Sequence, residues 1–214
     1  MSKVDAIVLG GNGKAYFFEG SQYFKYDLNT FQIDPGYPMT IAGNWPGLWE
    51  SDIDAATNWG ASGQVFFFKG SEYIGYELAT DKADEPKPIE GNWSGVWDSD
   101  IDAAVDWGDG KLYFFKGSEY VKYDIAADKA DDGYPRPIEG NWPGLWSEGI
   151  DAAINWGNGK AYFFGGDEYV SYDVAADAAD SGYPKKIAGG WPPSTGTSGQ
   201  LNAKRQKMLD LIDY

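Results

Sequence analysis

The sequence contains neither cysteine nor histidine among its 214 residues. Because cysteine is missing, a disulfide framework, a thiolate nucleophile, a cysteine-ligated zinc site and an iron–sulfur cluster are all excluded. Because histidine is missing, the chain also lacks the commonest general base, the commonest metal-ligating side chain and the usual axial ligand of haem. Most hydrolase mechanisms use one of these two residues. We therefore expect a protein that is not an enzyme and that binds no haem.

Basic residues are scarce as well: 17 lysines and arginines stand against 33 aspartates and glutamates, which gives a net charge of −16. Such a surface repels phosphate backbones and anionic membranes, so we expect neither nucleic acid nor a membrane as a partner. Cations, cationic small molecules such as polyamines, and basic proteins fit the charge better. The alternative is that the charge only keeps an aromatic-rich protein soluble.

Long apolar runs are missing too. No stretch approaches the length of a membrane span, and the first residues lack an apolar segment of signal-peptide length. A cysteine-free chain is tolerated in oxidising and reducing compartments alike, so the localisation is left open. The sequence does not choose between a monomer and a homodimer.

Aromatic residues, by contrast, are abundant at 17% of the chain, with 10 Trp, 15 Tyr and 11 Phe. They are arranged in four copies of one unit, which begin 48 or 49 residues apart at Val4, Ile53, Ile101 and Ile150. Aromatic side chains favour strands, and self-similarity at this period is the signature of a repeat architecture. The chain therefore predicts four tandem β units.

Each copy runs through the same parts, which are clearest in the third. A short strand (IDAAVDW) is followed by a glycine turn, a phenylalanine-rich strand (LYFFKG) and a tyrosine strand (EYVKYD). The turns Asn12-Gly13, Asp109-Gly110 and Asn158-Gly159 are strong hairpin signals, because a type I′ turn requires positive φ at both central residues. The copy ends in GYPRPI and NWPGLW, where proline favours an edge strand or a short helical turn.

A unit of three or four strands cannot bury both faces alone, and either a solenoid or a propeller solves this by stacking the copies. Antiparallel hairpins closed by glycine turns favour radial blades. We predict an all-β, four-bladed β-propeller over residues 4–193, with short helical turns at the blade ends. The predicted blades are 4–52, 53–100, 101–149 and 150–193, and 194–214 reads as a flexible linker followed by a weak helical pattern.

These motifs together resemble the hemopexin-like repeat family. That family's repeat has an apolar-Asp-Ala-Ala start, a tyrosine- and phenylalanine-rich strand, a Tyr-x-x-Tyr-Asp strand, Gly-Tyr-Pro and Trp-Pro-Gly. The match covers residues 4–193 and recurs four times in one order. The sequence looks closer to bacterial, fungal or plant-seed members than to matrix metalloproteinase domains. It departs from animal members in lacking the disulfide that ties blade one to blade four.

The resemblance implies an ion, calcium or sodium, in a central channel lined by the first strand of each blade. The implied ligands are the backbone carbonyls of Asp5, Asp54, Asp102 and Asp151. A second channel ring is implied two residues further along, at Ile7, Ala56, Ala104 and Ala153. Carbonyl oxygens suit these hard cations. The alternative for the four aspartates is that each side chain caps the backbone of a neighbouring blade, and the two roles are compatible.

Two further patterns admit a functional and a structural interpretation. The acidic pairs Asp81/Asp84, Asp128/Asp131 and Asp177/Asp180 could each share one face of a helical turn and bind cations, or be solvated turns. The tryptophans could stack on sugars at the rim, or fill the spaces between blades.

The leading hypothesis is a non-enzymatic binding module with a channel cation and an unknown protein, glycan or cationic small-molecule partner. The alternatives are a carbohydrate-binding lectin and a polyamine- or haem-type binder.

Overall fold

The phenylalanine-rich and tyrosine-rich runs of each repeat form strands in a computed structural model of the chain, which describes residues 1, 3–11, 13–188 and 191. Twenty strands make four antiparallel sheets of five strands each, one sheet per sequence repeat. The four sheets are the blades of a propeller. The predicted linker and helical pattern at 194–214 lie outside the described residues.

The four blades have the same composition of three longer strands followed by two strands of two residues. The first blade contains β1 (Ala6–Gly10), β2 (Lys14–Glu19), β3 (Gln22–Asp27), β4 (Gln32–Ile33) and β5 (Met39–Thr40). The second contains β6 (Ala55–Asn58), β7 (Gln64–Lys69), β8 (Glu72–Glu77), β9 (Lys82–Ala83) and β10 (Lys87–Pro88). The third contains β11 (Ala103–Asp106), β12 (Lys111–Lys116), β13 (Glu119–Asp124), β14 (Lys129–Ala130) and β15 (Arg136–Pro137). The fourth contains β16 (Ala152–Asn155), β17 (Lys160–Gly165), β18 (Glu168–Asp173), β19 (Ala178–Ala179) and β20 (Lys185–Lys186).

The core lies in the seams between adjacent blades. In the first seam, Trp45 of blade one contacts Phe67 and Tyr76 of blade two, with ring centroids 5.7 and 5.1 Å apart. Each of the four core clusters joins residues of two neighbouring blades in this way. The prediction that tryptophans fill the spaces between blades describes this residue well, since Trp45 is 6% exposed.

Ring closure between the fourth and first blades relies on the same packing. Trp191 contacts Phe17 and Tyr26 of the first blade at 5.7 and 6.0 Å between ring centroids. Val4 and Ile7 belong to the same apolar cluster as Ala152. Because the chain has no cysteine, burial of apolar and aromatic surface takes the place of a covalent tie at this seam.

The blade-end segments form hydrogen-bonded turns, and the prediction of short helical turns there is not borne out: the described part of the chain contains no helix. In the first blade, the N–H groups of Asn44 and Trp45 both donate to the carbonyl of Ile41. Gly43, inside this turn, has φ +77°. That left-handed conformation interrupts the run of helical dihedrals that a helix requires.

The hairpins at Asp109-Gly110 and Asn158-Gly159 form where the sequence predicted them, but with four-residue loops and not as two-residue type I′ turns. In the third blade, four residues (107–110) connect β11 and β12. Gly108 and Gly110 have positive φ, at +83° and +82°, whereas Asp109 is not among the residues with positive φ. The Asp109 carboxylate instead accepts a hydrogen bond from the N–H of Lys111 at 3.2 Å. The aspartate therefore stabilises a longer loop through its side chain.

Adjacent blades approach one another closely where the Trp-Pro-Gly turn meets the fourth strand of the next blade. The N–H of Ala179 donates to the carbonyl of Pro143 at 2.9 Å. A Cβ placed on Gly144 would lie 2.6 Å from the Ala179 Cβ. Glycine at this position therefore permits both a left-handed backbone, with φ +86°, and close contact between blades.

We predict that Gly144→Ala lowers the free energy of unfolding by roughly 3 kcal/mol, because it adds a clash between blades to the cost of a left-handed alanine. Gly182→Ala is the matched control: its φ is +83° and its added Cβ would meet no atom within 4 Å. That control should cost about 1 kcal/mol. Urea denaturation measures both, and equal losses would contradict the account of the seam.

Candidate functional site

The innermost strand of each blade has one free edge, and these four edges meet at the propeller axis. Strands β1, β6, β11 and β16 each end their sheet and pair with one neighbour only. Around the axis β1 packs against β6 and β16, and β11 packs against the same two strands. An edge strand presents unpaired backbone N–H and C=O groups, so backbone atoms line the channel.

One end of the channel opens into an acidic cavity of about 350 Å³, which we call the channel mouth. The four aspartates predicted from the sequence all line it, so the fold brings these residues together. Two further aspartates, one lysine and two isoleucines complete its wall: Asp52, Asp100, Lys3, Ile53 and Ile101. The mouth therefore combines six carboxylates with a single ammonium group.

The four predicted aspartates direct their carboxylates to a turn of their own blade. In each case one carboxylate oxygen accepts the N–H of the glycine that follows the second strand. The donors are Gly20 to Asp5 at 2.7 Å, Gly70 to Asp54 at 2.6 Å, Gly117 to Asp102 at 2.6 Å and Gly166 to Asp151 at 2.7 Å. The capping role is therefore present, but within one blade and not towards the neighbouring blade that the sequence analysis named.

The second predicted ring, Ile7, Ala56, Ala104 and Ala153, is buried at 3% exposure or less. The four side chains belong to four different core clusters. Their side chains therefore pack into the seams, which leaves only backbone groups at this level to face the axis. Whether these groups hold an ion stays a prediction.

Charge at the channel mouth is unevenly balanced. Lys3 forms an ion pair with Asp5, with 2.9 Å between Nζ and Oδ1. The hydrogen bond to Asp5 raises the pKa of Lys3, and the charges of Asp151 and Asp54 add to the effect. Burial raises the pKa of Asp54, and the nearby charge of Asp100 raises it further. The lysine thus acts as an internal counter-ion for a cluster of carboxylates that repel one another.

Sequence reasoning missed Lys3, Asp52 and Asp100 as residues of the mouth. They occupy the position just before the apolar-Asp start of their repeats, where the fourth repeat has Gly149. This shared position in the repeat is the sequence pattern that could have identified them. Within the described residues, no group of three or more acidic side chains is placed to hold a metal ion.

The acidic pairs of the blade-end loops do not share a face, so the helical-turn interpretation of them is wrong. In the third blade, the carboxylate of Asp128 accepts the hydroxyl of Tyr123 at 2.8 Å. Asp131 instead pairs with Lys111 at 3.0 Å. Each aspartate of the pair therefore has its own partner on a different strand.

The Tyr–Asp hydrogen bond recurs in the second and fourth blades, as Tyr76 to Asp81 and Tyr172 to Asp177. The first blade lacks it, because Phe31 stands where the others have aspartate. The hydroxyl of Tyr26 is consequently buried with no hydrogen-bond partner among the described residues. The first blade is thus the exception in an otherwise repeated set of contacts.

The family model described as Hemopexin matches the chain four times, at residues 4–50, 53–98, 101–147 and 150–192. The chain belongs to the hemopexin family. Solved structures agree on the hemopexin fold: the chain superposes on hemopexin fold protein CP4 from cow pea with a TM-score of 0.76 and 22% identity, covering 90% of this chain and 96% of that one. A plant lectin with two metal binding sites from Cicer arietinum gives 0.75 at 22% identity, covering 88% and 95%.

Curated relatives align with the chain over about 50 residues, the length of one repeat. Interstitial collagenase B of Mus musculus is 45% identical over 49 residues, which are 22% of this chain and 11% of that protein. Neutrophil collagenase of Homo sapiens is 42% identical over 52 residues, 24% of this chain and 11% of that protein. The matched segment therefore spans about a tenth of these relatives. Among the described residues of the chain, no helix has the length and apolar character to cross a membrane.

We predict that Tyr26→Phe stabilises the protein by about 1 kcal/mol, because it removes a buried hydroxyl that has no partner. Tyr172→Phe is the matched change in the fourth blade, and it should destabilise by about 1 kcal/mol because Asp177 loses its donor. Thermal and urea unfolding of the two variants measure the difference. A loss of stability in Tyr26→Phe as large as in Tyr172→Phe would show that Tyr26 has a partner.

Proposed function

We propose that this hemopexin-family protein is a non-enzymatic binding module that holds a cation, calcium or sodium, on the propeller axis. The observation that carries the proposal is the meeting of four free strand edges beneath a mouth of six carboxylates. The proposed ligands are the backbone carbonyls of Asp5, Asp54, Asp102 and Asp151. Their carboxylates are already engaged by glycine N–H groups, which supports a role for the carbonyls.

Converging carbonyl dipoles repel one another, and carbonyl groups are costly to bury without a partner. A cation relieves the repulsion and gives these groups a partner. Carbonyl oxygens are hard ligands, which favours calcium or sodium over a transition metal. The absence of histidine and cysteine from the sequence points the same way. The ion would be structural, linking four inner strands that carry no disulfide.

The acidic mouth supports cationic partners beyond the ion. A net charge of −16 raises the local concentration of cations, and the cavity focuses that field at one end of the channel. We therefore favour a cationic small molecule or a basic protein segment as the partner, over nucleic acid or an anionic membrane.

The alternative is a lectin, since one protein of the same fold is a plant lectin from Cicer arietinum. At 22% identity, that similarity extends to the fold alone. A lectin of the kind considered above needs tryptophan faces at the rim. Trp45, Trp93 and Trp142 are only 5–6% exposed and lie in the seams. These three rings cannot stack on a sugar without opening a seam, so a lectin would have to use the partly exposed second tryptophans of the first three blades, Trp49, Trp97 and Trp146.

The axial ion predicts that calcium raises the melting temperature and that a chelator lowers it, because an ion bound only by the folded state stabilises that state by mass action. Asp54→Asn should preserve the response to calcium. The asparagine keeps the backbone carbonyl and can still accept the Gly70 N–H that Asp54 accepts now. Differential scanning calorimetry with and without chelator measures both.

Lys3→Ala sharpens this test, because it removes the ammonium that competes for the mouth. Calcium should bind this variant more tightly than the parent. Lys186→Ala is the control, since its ammonium pairs with Asp167 on the exposed surface. Melting temperatures that change with neither calcium nor chelator, in the parent and in Lys3→Ala, would refute the axial ion.

A further inference from the structure

A small pocket opens at the seam between the first and second blades, away from the axis. It has a volume of about 140 Å³ and we call it the seam pocket. Its wall consists of four aromatic residues, one amide, one leucine and one carboxylate: Tyr16, Tyr23, Tyr37, Trp45, Asn44, Leu78 and Asp81. We propose that the seam pocket binds a methylated ammonium group. The proposal uses none of the residues of the axial site and stands independently of it.

The aromatic walls meet at steep angles. The rings of Tyr16 and Trp45 lie 5.2 Å apart at 88°, and those of Tyr23 and Trp45 lie 5.7 Å apart at 89°. Tyr37 meets Tyr23 at 73°, with centroids 5.4 Å apart. Rings that meet edge to face pack on one another, and Tyr23 and Trp45 are only 6% exposed, so these two form the floor of the pocket. The partly exposed Tyr16 and Tyr37 are the rings whose faces a cation can contact.

One carboxylate supplies a full negative charge beside these rings. Asp81 has a left-handed backbone, with φ +54°, and its carboxylate accepts the hydroxyl of Tyr76. This bond fixes the carboxylate of the second blade against the aromatic wall of the first. Burial raises the pKa of Tyr23, its hydrogen bond to Tyr37 raises it further, and the charge of Asp81 also contributes. The negative charge therefore acts within the pocket.

The third and fourth blades show that a cation is accepted at the equivalent tyrosine. In the third blade the Arg136 guanidinium lies over the Tyr134 ring at 4.6 Å, and in the fourth the Lys185 ammonium lies over Tyr183 at 4.4 Å. The register of the fifth strand places these basic residues opposite the first tyrosine of the third strand. In the first blade, that position is Met39. The first blade thus has the tyrosine without the intramolecular cation.

The seam pocket is large enough for a small ammonium head group but not for a whole drug-sized molecule. Its volume of about 140 Å³ is well below the roughly 300 Å³ at which sites for drug-sized ligands begin. Methyl groups on the nitrogen reduce the hydration that a bare ammonium must give up on entering an aromatic wall, and they fill the pocket with apolar contact. A methylated ammonium therefore suits the rings and the carboxylate together.

Choline is the probe for this proposal, and its uncharged carbon isostere is the control ligand. Titrations followed by protein NMR, in chelator so that an axial ion plays no part, should give saturable choline binding. The isostere should bind at least about tenfold more weakly, because it keeps the shape and loses the charge. Absence of choline binding, or equal binding of the isostere, would overturn the proposal.

Variants locate the site. Met39→Arg copies the third blade and should weaken choline binding about tenfold or more, because the new guanidinium covers Tyr37. Thr40→Lys adds the same charge one residue away, as at Lys186 in the fourth blade, and should leave binding within about twofold. Choline binding that survives Met39→Arg would place the ligand elsewhere.

The carboxylate is tested in the same way. Asp81→Asn keeps an acceptor for the Tyr76 hydroxyl and should weaken choline binding about tenfold. Asp128→Asn is the control at the next seam, where Phe66 replaces the first tyrosine and the Gly-Tyr-Pro segment is missing. That control should bind like the parent. Equal losses in the two variants would mean that the net charge, and not the seam pocket, attracts the ligand.

Discussion

Four strand edges that converge on one axis are the constraint on which the rest of the molecule depends. Each inner strand pairs on one side only, and its side chains pack sideways into the seams. Backbone groups are left at the axis, where they need solvent or an ion as a partner. The aromatic seams hold the four edges close to the axis, because Trp45 and its counterparts Trp93, Trp142 and Trp191 each join two blades. A chain without cysteine has no disulfide to do this instead.

The functional asymmetry of the molecule comes from small departures from the repeat. Lys3 stands at the mouth where the second and third repeats have an aspartate. Met39 stands where the third and fourth blades have a basic residue that covers the tyrosine of Gly-Tyr-Pro. Phe31 replaces the aspartate that elsewhere accepts a tyrosine hydroxyl. All three lie within or directly before the first blade. The repeated framework provides stability through the same contacts four times, while single substitutions make one end of the channel and one seam chemically distinct.

The period of the repeat and the alternation within its strands were enough to predict four blades, because aromatic strands of this length bury themselves only against a neighbouring copy. The aspartates at the start of each copy line one mouth, whereas the role of their carbonyls as ligands stays a prediction. The blade-end helical turns were not predicted correctly, since the left-handed Gly43 breaks them. The seam pocket was missed because Asp81 and Tyr37 come from different blades, and sequence spacing carries no information on that contact.

We propose that the axis binds one cation through backbone oxygens of the folded chain. Native mass spectrometry of the full chain tests this most directly, because it counts ions on folded molecules. We predict a folded species that carries the mass of one cation when calcium is supplied, and that loses it on acid unfolding. A folded species that keeps the bare chain mass in the presence of calcium would contradict the account.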